Sequence, residues 1–123
     1  MSKYFFVCHR KLISAVALSL IITAPAFAGD EAANLRNGSA VFHGTCIACH
    51  GADGKGVTPG APDFTKANSV LSLPDKVLED RIEHGYRSES SPMAMPPKGG
   101  YPSLTKADIH NVLAYMRKTF EKE

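Results

Sequence analysis

At 123 residues, with 14 basic and 12 acidic side chains and a formal net charge of +2, the chain is long enough for one small domain. That balance lacks the basic surplus of a nucleic-acid surface, so no nucleic-acid partner is expected. A domain of this size buries a modest fraction of its surface and often needs a staple or a cofactor.

Residues 1–28 read as a secretory signal. Met1 to Lys11 carry Lys3, Arg10 and Lys11 and no acid, Leu12 to Ile22 are apolar apart from Ser14 and Ser19, and Ala26-Phe27-Ala28 offers the small residues of a cleavage site. The apolar run is shorter than the ~20 residues that span a bilayer, which favours cleavage after Ala28 over a retained anchor. Cys8 would leave with the signal. Cleavage removes three basic residues and no acid, so residues 29–123 make a domain of 95 residues with a formal charge of −1.

Within that domain, Glu31 to Thr45 has helical character, with Leu35, Val41 and Phe42 on an apolar side and Gly38 weakening the propensity. The segment FHGTCIACHG, Phe42 to Gly51, holds the remaining two cysteines. Ala52 to Asp63, with three glycines and two prolines, reads as loop. Leu73 to His84 is a second helix: Pro74 suits its first turn, Asp75, Glu79 and Asp80 lie toward its start, and Gly85 ends it. Leu78 and Ile82 share one face. Tyr86 to Pro102 returns to loop, punctuated by Pro92, Pro96, Pro97 and Pro102. A capping-box spacing at Thr105 and Asp108 then opens the last helix, with Ile109, Val112, Leu113, Met116 and Phe120 on one side. Arg117, Lys118 and Lys122 read as a solvated basic end that suits the helix dipole. No segment alternates with period two, so the expectation is an all-α fold. Loops this long in so small a domain imply function, or a bound group that holds them.

Three chemistries use a C-x-x-C. A redox dithiol sits at a helix start after a strand, and no strand is expected here. Structural zinc needs four ligands, commonly with a second pair downstream; His84 and His110 supply neither a second C-x-x-C nor an H-x3-5-H. Covalent haem attachment needs C-x-x-C-H, which Cys46, Cys49 and His50 provide. Two thiols reach two vinyl groups on one porphyrin edge, and the next residue ligates iron from beneath. Export agrees with that chemistry.

A second axial ligand is then required. Thioether sulfur favours reduced iron, and Met93 and Met95 both lie in the proline-rich loop. Pro96 and Pro97 restrict the backbone beside Met95, which makes it the preferred ligand and Met93 the alternative. Met116 belongs to the apolar face of the last helix. His43, His84 and His110 lie on or at the ends of helices, where solvent-facing or capping roles account for them.

C-I-A-C-H-G, a Gly-Pro loop with A-P-D-F, a downstream M-P-P and the final L-T-K-A-D-I-H-N-V-L-A-Y-M-R together resemble the small bacterial class I c-type cytochromes, over nearly all of residues 29–123. The resemblance implies the cytochrome c fold: several helices around one covalent haem c, with the first and last helices crossing. Gly38, Phe42 and Tyr115 match the family's crossing positions. Pro62 matches the proline whose carbonyl accepts a hydrogen bond from the proximal histidine, and Pro59 is its rival. The polar stretch Ser88 to Ser91 departs from the pattern.

The expected function is periplasmic one-electron transfer, without catalysis, between redox protein partners. Phe64, Leu71, Leu78, Ile82 and Leu104 are candidates for the apolar wall. The near-zero charge left after cleavage gives little steering, which raises the alternative of a dedicated subunit in a dehydrogenase or reductase complex, with a membrane-associated or dehydrogenase complex as its partner. A haem enzyme or gas-binding protein with an open sixth site is the third reading, and the two loop methionines argue against it.

Overall fold

The computed structural model describes residues 27–122. The signal assigned to residues 1–28, Cys8 included, lies outside these but for the backbone of its last two residues. Four α-helices make the frame. Helix α1 (Phe27–Val41) passes through a π-helical turn (Phe42–Cys46) directly into the short α2 (Ile47–His50). Helix α3 spans Asp75–His84 and α4 spans Lys106–Phe120, with 3₁₀ turns at Val70–Ser72 and Pro97–Gly100. The one β-type pairing among the described residues is an isolated antiparallel bridge between Tyr86 and Met95. None of the described helices is long and apolar enough to cross a membrane.

The first helical stretch runs further than expected. Reading it to stop at Thr45 placed the cysteine pair beyond its end; the backbone stays helical through His50. Nothing in TCIACH breaks a helix, and the stop comes only at Gly51, whose φ of 76° lies where glycine is at ease. The π turn ends at Cys46, the first cysteine of the motif, and such turns are frequent at functional sites.

Helices α1 and α4 cross at Gly38, as the resemblance implied. A Cβ there would stand 2.0 Å from the Asn111 carbonyl oxygen and 2.8 Å from Tyr115 Cβ. Asn111 Nδ2 donates to Asn37 Oδ1 across the crossing at 3.0 Å. Just below it, Phe42 is fully buried and meets the rings of Tyr115 and Phe120 at 5.6 and 5.2 Å. Phe42, Leu71, Val112 and Leu113 are the largest fully buried side chains. Each contributes about 1.5–3 kcal/mol by leaving water.

Helix α4 opens with the full capping box. Asp108 N–H donates to Thr105 Oγ1 at 3.2 Å, and Thr105 N–H donates to Asp108 Oδ2 at 2.9 Å. At its other end one expectation is corrected. Arg117 is not part of a solvated basic face: its guanidinium donates to the carbonyls of Leu71 and Leu73, to Asp75 Oδ1 and to Glu121. Burial works against its charge, but the bonds to Asp75 and Glu121 outweigh that and hold it protonated. The α4 terminus is thereby tied to the segment leading into α3. Lys118 and Lys122 are exposed, as expected.

Candidate functional site

Because Ile47–His50 is helical, Cys46, Cys49 and His50 stand three and four positions apart on one face. All three line an apolar cavity of about 290 Å³. Phe64, Leu71, Leu78 and Ile82 line it as expected, joined by Val112, Leu113 and Met116 of α4. Leu104 is buried but does not reach the cavity; its segment is held instead by Lys98 Nζ, which donates to the Leu104 carbonyl at 2.7 Å.

His50 is 8% exposed and its ring stacks on Phe64, centroids 4.7 Å apart and planes 21° apart. Burial lowers its pKa, so the imidazole is neutral near pH 7 and keeps a lone pair for a metal. Its Nδ1 is buried with no hydrogen-bond partner. The Pro62 carbonyl therefore does not accept from it here, nor does that of Pro59, although both prolines line the cavity. Stacking on Phe64 sets the ring's orientation instead. An orphaned buried nitrogen of this kind calls for an explanation in what the site is built to hold.

Cys46 and Cys49 form no disulfide with each other, which leaves both sulfurs available for attachment. Burial, and then the neighbouring Cys49, push the Cys46 thiol up to about 11, so it stays protonated at neutral pH. The other histidines are engaged elsewhere. His43 Nδ1 pairs with the Ser39 carbonyl at 2.8 Å, His84 Nδ1 with Asp80 Oδ1 at 3.1 Å and His110 Nδ1 with Glu79 Oε1 at 2.9 Å. None of them lines the cavity. No group of three or more His, Cys, Asp or Glu side chains is gathered for a metal among the described residues, which leaves the zinc reading without support.

The loop after the motif is held by the motif's own backbone. The Cys49 carbonyl accepts from Val57 N–H at 2.9 Å and from Thr58 N–H at 3.3 Å, and the His50 carbonyl accepts from Gly56 N–H at 2.9 Å. The methionine loop is pinned at its base, where Met95 N–H donates to the Tyr86 carbonyl at 2.8 Å and Tyr86 N–H donates back at 3.0 Å. Gly85 permits this closure, since a Cβ there would stand 2.7 Å from the Met95 carbonyl oxygen. Met95 and Met93 both line the cavity; Met95 is half-buried against the core, while Met93 is 50% exposed. Sequence reasoning missed Arg81 and Tyr86, which also line the cavity, the guanidinium lying 3.8 Å above the Tyr86 ring centroid. Their spacing of five, broken by a glycine, gave no signal.

Two thiols and a neutral imidazole on one helix face, with thioether sulfur from a separate segment in the same apolar cavity, fit a covalently held haem in a helical shell. Comparison with known proteins agrees. The sequence profile of the family described as Cytochrome c matches residues 35–120. The chain is 34% identical over 122 residues to cytochrome c6 of Gloeothece citriformis, covering 92% of this chain and 97% of that one. It is 34% identical over 88 residues to cytochrome c-555 of Prosthecochloris aestuarii, covering 70% and 88%. In the crystal structure of cytochrome cL from the marine methylotroph Methylophaga aminisulfidivorans, the match has a TM-score of 0.54 at 26% identity, over 72% of this chain and 54% of that one. The chain belongs to the cytochrome c family. Its fold is the all-α cytochrome c fold and its cofactor is covalently bound haem c.

Proposed function

We propose that the protein is a periplasmic one-electron carrier with a single haem, joined to Cys46 and Cys49 and ligated by His50 and Met95. Bound in the cavity, haem supplies a reversible Fe(III)/Fe(II) couple. The chain's own residues hold its ligands in place, keep the cavity walls apolar and dry, and leave one side open to a redox partner. The observation that carries the reading is that His50, buried with an orphaned Nδ1, shares one apolar cavity with Met95, whose backbone is fixed on both sides by the bridge to Tyr86. Fixing the ligand's backbone beforehand limits the reorganisation that accompanies electron transfer. The Pro62 carbonyl is the proposed acceptor for Nδ1–H in the haem-bound protein, where it would strengthen His50 as a donor.

His50 and Met95 would together hold the iron and leave no position for a substrate, which fits a carrier and not an enzyme. Its donor and acceptor are other redox proteins; co-purification with a catalytic subunit would instead identify it as a dedicated subunit of a dehydrogenase or reductase complex. The ligand test is spectroscopic. The oxidised protein should show a weak methionine-to-iron band near the red end, lost in Met95→Ala and kept in Met93→Ala. The reverse pattern would overturn the assignment to Met95. Rapid carbon monoxide binding by the reduced protein would show an open sixth site and overturn the carrier reading.

A further inference from the structure

Two methionines, two residues apart, line the same cavity, and the chain must select one. We propose that Ser91 is the positioning residue that makes this selection, holding Met93 away from the iron so that Met95 alone ligates it; this rests on the reading of Met95 above. Ser91 is one of two buried polar residues among the described residues, 8% exposed, in a stretch otherwise solvent-facing or half-buried. Its Oγ donates to the Met93 carbonyl at 2.6 Å, which fixes the peptide that orients the Met93 side chain. Its N–H donates to the Ser88 carbonyl at 3.1 Å, and its carbonyl accepts from Arg87 Nε at 3.2 Å, so the tip of the loop is closed upon itself.

The hydroxyl has a berth prepared for it on the other loop. Gly60 has a φ of 88°, and a Cβ built there would lie 2.0 Å from Ser91 Oγ. The loop that follows His50 thus meets the methionine loop at Ser91, where a side chain at position 60 would collide with the hydroxyl. Pro92, between Ser91 and Met93, narrows the backbone further. Without the hydroxyl, the Met93 carbonyl loses its donor and the tip is free to turn Met93 inward. The base of the loop, paired to Tyr86, still presents Met95. Both sulfurs would then compete for one position.

The reduced, haem-loaded protein reports the ligand through the methionine methyl signals that the porphyrin ring current displaces. The native protein should give one such set, Ser91→Ala two, Ser91→Thr one because the hydroxyl is kept, and Ser91→Ala/Met93→Leu one because the competitor is gone. A single native set in Ser91→Ala, or two sets persisting in Ser91→Ala/Met93→Leu, would overturn the selection while leaving Met95 as ligand. No displaced methionine signal in the native protein would overturn the Met95 reading itself. Independently of any variant that folds poorly, the Ser91 hydroxyl proton of the native protein should exchange slowly with water, and rapid exchange would contradict the proposal.

Discussion

At Gly38 the absence of one carbon decides how closely two helices approach. A Cβ would meet backbone, the Asn111 carbonyl at 2.0 Å, and backbone cannot swing aside as a flexible side chain can. Gly38→Ala should therefore cost about 3 kcal/mol or more, at or beyond the upper end of ordinary overpacking and against the small gain in helix propensity. Chemical denaturation would measure it, and a midpoint equal to or above that of the native protein would contradict the close crossing. Gly38 was legible as a weak helix position, and its reason came with the resemblance. Cys46, Cys49 and His50 stood out as candidates because the chemistry proposed for them depends on residue type and spacing alone. Ser91 and Arg117 were not legible: what each does depends on partners far away in sequence or in other loops. Gly60 is 31 positions from Ser91, and Leu71 is 46 from Arg117.

Among the elements, the last helix is the best specified and carries two predictions. Thr105 holds Asp108 below its ordinary carboxylate range, chiefly through backbone and side-chain hydrogen bonds. A depressed pKa means that this contribution is present above the unfolded value of ~3.9 and is lost as pH falls through the lower folded value. Thr105→Ala should cost about 1 kcal/mol at pH 7. The variant should also lose less stability than the native protein as pH falls below ~4. Parallel pH profiles for the two proteins would contradict the linkage. At the opposite end, Arg117→Leu strands the Leu71 and Leu73 carbonyls and should cost about 2 kcal/mol. Asp75→Asn, at an exposed ion pair, should cost less than about 1 kcal/mol. Comparable losses would mean that the carbonyl contacts contribute little. Helix α4 was readable from its apolar period and capping box, and α3 from its apolar pair Leu78 and Ile82 and the terminating Gly85. The end of the first helix was not, because a π turn keeps the chain helical where no propensity rule marks one, and its stop at Gly51 became clear only in three dimensions.

For the whole molecule, the sequence carried the fold class, the order of helices and four of the five expected wall residues. It could not show that the two long loops are held by the Cys49 and His50 carbonyls on one side and by the Tyr86–Met95 bridge on the other. Those bonds join positions with no local signature. They turn two Gly- and Pro-rich segments into fixed walls of one cavity, which is what a carrier with stationary ligands requires. The central proposal is that one haem is held covalently at Cys46 and Cys49 and that the protein is secreted with cleavage after Ala28. The intact mass of the protein purified from the periplasm tests it most directly. It should equal the chain from Gly29 to Glu123 plus a single haem, unchanged by acid-acetone extraction. A polypeptide mass without that addition, or with more than one, would contradict the account.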